Sequence, residues 1–423
     1  MLKKISFILF FVFIFISQAH ARIYILIDEL SEEKKFPIAV PSFLTEKGGF
    51  AGGTAKKMND LIRKDLKIAG FFNVIDDSLL PNKDSDVEQI NFEKWQALEV
   101  GALVKGIVTK PEKGGKTIQL KLYHIGEKKM ILGKQYTVDN ENYIDAVHRF
   151  VDDMMEVLTG VAGPFDSKVV ASCGKPFKRR IGTFDIDSSR RGGVVKAGIN
   201  DISPAWAPNG KQIAYTSFTS RYPEIYISGR KITNFKSTTI TPAWTPDGSK
   251  LIVASAFTGD TELYLISQSG RVLRQITKSP NIDLDPAVSA DGRLLFASER
   301  AGGLQIFLTS LDGGGVSQVT YTGYQNLQPD WSPDGSKITF CGKDQGAFDI
   351  FVMEADGSNI LRLTRGEGNN ESPVWAPDSR YIAFYSSRGG IFVMLDDGTN
   401  QTLIEKSESC INLDWGPRLT EKN

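Results

Sequence analysis

Histidine is scarce in this chain: three residues in 423, His20, His124 and His148. The side chain best suited to proton transfer near neutrality is therefore present in few places, and His124 and His148 read as packing or surface residues. Cysteine is equally rare at three residues, too few for a disulfide-built scaffold. Neither sign of charge is in excess, with 50 basic and 50 acidic residues, so the surplus that nucleic-acid binding demands is lacking. No apolar run reaches the roughly 20 residues of a membrane span; the longest, at positions 5–16, has about 12. Gly-x-Ser-x-Gly, His-Glu-x-x-His and Gly-x-x-x-x-Gly-Lys-Ser/Thr are all absent. These gaps argue against an enzyme, and no cofactor is expected.

The one apolar run has its own reading. Met1-Leu2-Lys3-Lys4 gives a basic start, residues 5–16 are apolar apart from Ser6, and Ala19-His20-Ala21 is a small-x-small cleavage site. Residues 1–21 are expected to be a secretory signal peptide, leaving a soluble product from Arg22 in an oxidising compartment outside the cytoplasm. No Cys follows the cleavage point to carry a lipid. Loss of Lys3 and Lys4 leaves 48 basic against 50 acidic residues.

What the chain has in quantity is a repeat. Pro329-Asp330-Trp331-Ser332-Pro333-Asp334-Gly335 recurs around Pro204-Trp206-Pro208-Asn209-Gly210, Pro242-Trp244-Pro246-Asp247-Gly248, Pro286-Val288-Ala290-Asp291-Gly292 and Pro373-Trp375-Pro377-Asp378-Ser379, with a truncated Leu413-Trp415-Pro417 at the end. The Trp positions, with Val288 standing in once, are spaced by 38, 44, 43, 44 and 40 residues. That is the length of a propeller blade. Pro and Trp two apart share one strand face, and Pro-Asp-Gly then makes a tight reversal. Three further strands follow each motif, for example Gln212-Ile213-Ala214-Tyr215, Ile225-Tyr226-Ile227 and Lys231-Ile232-Thr233. Four antiparallel strands repeated about an axis make a β-propeller.

Before the repeats the pattern changes. Residues 22–160 read as an α/β domain: strands near 22–28, 36–43, 102–108, 116–123 and 131–138, a helix capped by Thr54 and stopped by Gly70, a short Trp95 helix capped by Asn91, and a last helix burying Ile144, Val147, Val151, Met154 and Leu158. Residues 165–418 are the propeller. Lys168-Val169-Val170-Ala171-Ser172, residues 180–186 and Gly193-Val194-Val195-Lys196 read as strands two to four of a blade whose first strand is the tail around Trp415. The expectation is six blades, the last assembled from both ends, which removes exposed sheet edges.

The order of these features resembles the TolB family of the Tol-Pal system over nearly the whole mature length. The resemblance rests on Phe36-Pro37-Ile38-Ala39-Val40-Pro41-Ser42-Phe43, Asp65-Leu66 with Gly70-Phe71-Phe72, the Trp95 helix, Leu158-Thr159-Gly160 leading to Gly163-Pro164-Phe165, and Trp415-Gly416-Pro417, all preceded by a short N-terminal strand. It implies a monomeric, non-enzymatic adaptor in the periplasm that joins Pal, an outer-membrane lipoprotein, to TolA of the inner membrane, and so supports envelope integrity and constriction at division. By position, the TolA-like partner falls to Arg22, Ile23, Tyr24, Ile25, Leu26, Ile27 and Asp28, an alternating strand able to pair with a partner's sheet edge. A permanent first strand of the α/β domain is the plainer alternative. Residues 29–35 depart from the family in being highly charged.

For a Pal-like partner the expected surface is the mouth where the innermost strands begin. Residues one and three before each motif Pro are expected to line it: Asp201, Ser203, Thr239, Thr241, Asp283, Asp285, Asn326, Gln328, Asn370 and Ser372. The plain alternative is a ring of solvated strand ends. Asp201, Asp283 and Asp285 together would also be oxygen ligands for a hard cation, but no loop has an ordered ligand spacing and no metal is expected. Cys173 ends one strand of the composite blade and Cys410 begins its neighbour, so antiparallel pairing brings them close enough for a disulfide; three buried free thiols is the alternative, with Cys341 unpaired in either case. Two other functions stay open: a propeller binding a glycan or small ligand, and a propeller enzyme using Asp283 and Asp285.

Overall fold

The computed structural model describes residues 35–45, 51–80, 90–109, 116–139, 142–193, 198–219, 221–344, 346–366, 368–407 and 410–419. The expected signal peptide and the strand at 22–28 lie outside these residues, as does the blade strand expected at 193–196 except for Gly193.

The N-terminal part runs β1 (Phe36–Ala39), β2 (Leu44–Thr45), α1 (Thr54–Ala69), β3 (Phe72–Val74), α2 (Phe92–Gln96), β4 (Ala102–Thr109), β5 (Lys116–His124), β6 (Lys129–Val138) and α3 (Tyr143–Thr159). The sheet order is β3-β1-β4-β5-β6, with β2 on β4; β1 is parallel to both neighbours, and β4, β5 and β6 are antiparallel. Met58, Leu61, Ile62 and Leu66 of α1 and Val147, Val151, Met154 and Leu158 of α3 repeat at helical spacing and are buried together with the sheet's Ile38, Val104 and Leu120. Thr54 is the first helical residue rather than the cap; Gly53 stands at the cap with φ 61°, and no side chain bonds the helix start. Asn91 does cap α2, its Oδ1 accepting from Lys94 N at 3.1 Å. Gly70 ends α1 in the left-handed region at φ 83°, and a Cβ there would meet Asn400 Nδ2 at 2.7 Å.

The remainder is a closed propeller of six sheets. The innermost strands are Asp201–Trp206, Thr239–Trp244, Asp283–Val288, Gln325–Trp331, Asn370–Trp375 and Cys410–Trp415, numbered here as blades 1 to 6. Each expected second and third strand is present in antiparallel register. In blades 1 to 4 the fourth strand pairs one or two residues earlier than its apolar pattern implies, because a threonine there leaves the ladder. Thr233, Thr277, Thr320 and Thr364 each accept the N–H of a third-strand residue (Ile225, Leu263, Ile306, Ile350) and donate to the side chain beside it: Glu224, Glu262, Gln305 or Asp349.

Blade 6 is composite. Cys410–Trp415 pairs antiparallel with Val169–Cys173, which pairs with Arg180–Phe184, so the tail lies against material that directly follows the α/β layer. Cys410 is the register partner of Cys173, and a disulfide joins them across 237 positions of sequence; Cys341 is a buried free thiol. The α/β layer sits on the opposite face from the beginnings of the inner strands. Tyr381 Oη donates to Ala69 O at 2.8 Å, Asn400 Nδ2 to Ile68 O at 2.7 Å, and Arg380 reaches Thr159 Oγ1 and Val161 O at 3.0 Å. One apolar core runs through that seam, from Phe150 and Phe165 to Val374, Tyr381 and Trp415.

Candidate functional site

The residue before each motif proline lies in the left-handed region although none is glycine. These are Ser203 (φ 49°), Thr241 (48°), Asp285 (51°), Gln328 (51°), Ser372 (56°) and Asn412 (50°), where the tail's own copy completes the ring. Side chains of this kind seldom occupy that region, and the strain is repeated at every blade. It has a geometric effect: the strand register shifts at each such residue, so the alternation of faces is broken between it and the residue two before.

The expected ring of ten is corrected accordingly. Ser203, Thr241, Asp285, Gln328 and Ser372 line a central cavity of about 590 Å³. Asp201, Thr239, Asp283, Asn326 and Asn370 are buried and turned away from it. They act as stitches: Thr239 bonds Ser255 Oγ at 3.0 Å, Arg300 Nη2 donates to Asp283 at 2.7 Å, Asn326 Nδ2 donates to Gln305 of the preceding blade at 2.8 Å, and Asn370 Nδ2 to Asp349 at 3.3 Å. Asp201 accepts from Ser217 and Gly198, and its carbonyl takes the Ser172 hydroxyl of blade 6 at 2.6 Å. Asp201, Asp283 and Asp285 therefore do not converge on a cation.

Inside the ring, side chains pass hydrogen bonds from blade to blade. Asp285 accepts from Gln328 N, Gln328 Oε1 accepts from Ser372 N at 2.8 Å, and Ser372 Oγ accepts from Asn412 N at 3.0 Å. Two carboxylates that pattern reading missed do the same one step deeper. Asp330 accepts from Trp375 N at 2.8 Å and Asp414 from Trp206 N at 2.5 Å. Their signal was available: the residue after the motif Pro is Ala, Ala, Ala and Val in four blades and Asp in blades 4 and 6. Burial pushes Asp330 up to about 8, with the charge of Asp414 adding to the rise, and pushes Asp285 and Asp414 up to about 6.

The rim of the same face carries apolar side chains. Phe177 (81 % exposed), Tyr321 (73 %) and Tyr324 (71 %) are the most exposed large hydrophobic residues among those described, and Ile199, Phe257 and Ile282 are exposed as well. All six lie in connections that precede an inner strand or follow a second strand, so the topology puts them at the mouth. Exposed apolar side chains around the channel make this face the candidate site.

Fold and mouth together define a class: a six-bladed propeller with a channel at its hub and an α/β layer covering part of the far face. A family profile described as the TolB amino-terminal domain matches residues 23–131, and one described as the TolB beta propeller domain matches 155–348 and 324–418. The chain belongs to the TolB family. Among curated relatives, the Tol-Pal system protein TolB of Chromobacterium violaceum is 30 % identical over 195 residues, covering 44 % of this chain and 45 % of that protein. The protein of the same name from Bordetella parapertussis is 32 % identical over 275 residues, covering 63 % and 60 %. The chain thus spans about half the length of the curated relatives it matches. The crystal structure of TolB from Acinetobacter baumannii shares the fold, with a TM-score of 0.77 at 22 % identity over 90 % of this chain and 97 % of that one. Among the described residues no helix is long and apolar enough to cross a membrane.

Proposed function

We propose that the chain is a non-enzymatic periplasmic adaptor of a Tol-Pal system. The propeller mouth holds a Pal-like lipoprotein, and residues 22–28 engage a TolA-like inner-membrane protein, which together support outer-membrane integrity and constriction at division. The observation that carries the first half is the set of exposed side chains Phe177, Tyr321 and Tyr324 in the connections at the start of the inner strands, the face that the α/β layer leaves free, with the strained ring at the near end of a channel lined onward to the motif turns. Family membership supports both halves. The glycan alternative lacks aromatic side chains at the ring positions themselves, although Trp206, Trp244, Trp331, Trp375 and Trp415 line the cavity beyond them, and the enzyme alternative needs Asp283 beside Asp285 in the channel, whereas Asp283 is held by Arg300.

Capture from an envelope extract tests the reading. The mature chain is expected to recover a Pal-like lipoprotein, and Tyr321→Ala with Tyr324→Ala is expected to weaken that capture at least about tenfold, since buried aromatic anchors dominate interfaces. Deleting residues 22–28 is expected to abolish capture of the TolA-like protein while leaving the propeller folded. Equal capture by these variants refutes the corresponding half.

A further inference from the structure

Where the α/β layer meets blade 6, three buried ligand-type side chains converge. Asp65 comes from α1, His148 from α3, and Asp187 from the turn that follows the blade 6 strand Arg180–Phe184. None is more than 1 % exposed. His148 Nε2 stands 3.9 Å from Asp65 Oδ2 and 3.5 Å from Asp187 Oδ2, close enough to pair electrostatically with Asp187 but without a well-formed hydrogen bond to either. Both carboxylate oxygens of Asp65 are without one as well. A buried carboxylate with two bare oxygens is costly, and the fold elsewhere avoids it. The neighbouring acids are already provided for. Asp185 is paired with Lys168 and Arg190, and Asp152 accepts from the backbone of Phe165 and Asp166 at 2.9 Å with Arg418 beside it. Lys64, next to Asp65, spends its ammonium on the carbonyl of Asp187. Asp65 thus faces His148 and Asp187 with no hydrogen-bond donor from the protein for either of its oxygens.

We infer that Asp65, His148 and Asp187 form a binding site for one divalent transition-metal ion of the zinc class, clamping the α/β layer to the propeller. The donor set is one imidazole nitrogen and two carboxylates, a combination that suits zinc and leaves a fourth position for water. Tetrahedral ligands at about 2.1 Å lie about 3.4 Å apart. His148 already stands near that spacing, at 3.5 and 3.9 Å from the two carboxylates, and with all three ligand atoms within 4.8 Å of one another an ion would draw the carboxylates together. A divalent ion also balances the two carboxylate charges with a neutral imidazole, so the site as a whole carries no net charge. Because two ligands come from helices of one layer and the third from the propeller, occupancy ties the two together.

The test uses the mature full-length chain, stripped with chelator and dialysed against zinc. About one zinc per chain should remain by elemental analysis, and the melting temperature should rise with added zinc but not with magnesium. Asp65→Asn keeps shape and removes one ligand charge. It should weaken zinc binding about 10- to 100-fold or more and erase the zinc-dependent shift, while melting no lower than the stripped wild type. Cobalt(II) supplies a readout that needs no variant: a visible band typical of four coordination should appear in the wild type and vanish on zinc addition. Sub-stoichiometric zinc in the wild type, absence of that cobalt band, or unchanged zinc uptake by Asp65→Asn overturns the inference and leaves three buried groups that share protons only.

Discussion

Around the hub, single residues decide what faces the channel. A strand predicts that residues one and three before the motif proline share a face. The left-handed residue at 203, 241, 285, 328, 372 and 412 breaks that rule, which is why half of the expected ring was legible and half was not. Left-handed backbone at a non-glycine residue is invisible to a hydrophobicity pattern; only its repetition at one register across all blades would have given it away. Asp330 shows what the hub asks of a side chain. Its folded pKa, about 8, is raised above the unfolded value of about 3.9, so the stability associated with its protonated form is intact below pH 4 and is lost as pH rises through 8. Asp330→Asn retains an oxygen for Trp375 N. The variant should melt higher than wild type by a gap that opens from pH 4, widens to pH 8 and then levels off, reaching a few degrees, with the channel's own water limiting its size. Thermal scans across that range check it; a constant gap contradicts the assignment.

At the scale of elements, strand identity followed from alternation and turn chemistry, while strand ends did not. The fourth strands stop early because Thr233, Thr277, Thr320 and Thr364 satisfy the third strand with their hydroxyls, a tertiary use of threonine that propensity cannot anticipate. In blades 2 to 5 the turn before the fourth strand brings a glycine against the preceding blade. Gly270, at φ 80°, would place a Cβ 1.7 Å from Ile232 O, whereas Gly302, at φ 88°, has nothing within 4 Å. Gly302→Ala should therefore cost about 1–2 kcal/mol, the left-handed backbone alone. Gly270→Ala should cost at least about 2 kcal/mol more, because blades 1 and 2 must separate locally. Denaturant unfolding of the two variants compares them directly, and equal losses would show that blade contact does not set this position.

For the molecule as a whole, the decisive relation joins its most distant parts. That the tail would complete a blade begun just after the α/β layer was legible, because each fragment lacked what the other had. The α/β sheet was less so: β3 is three residues long, and its parallel place beside β1 follows from tertiary packing, not from any local signal. The closure carries a covalent lock. Denatured protein should show one reactive thiol without reductant and three with it, and reduction should lower stability by up to about 5 kcal/mol in the chain-entropy account of so long a loop. Three thiols without reductant would refute the lock.

That lock also has a chronology. Cys173 and Cys341 both precede Cys410 in the chain, so a polypeptide delivered N-terminus first presents a wrong pair before the right one exists. Oxidation during that interval yields a mispaired intermediate that only thiol exchange can rescue. Cys341→Ser removes the competitor, and oxidative refolding of that variant should reach the native form faster and without help from an isomerase.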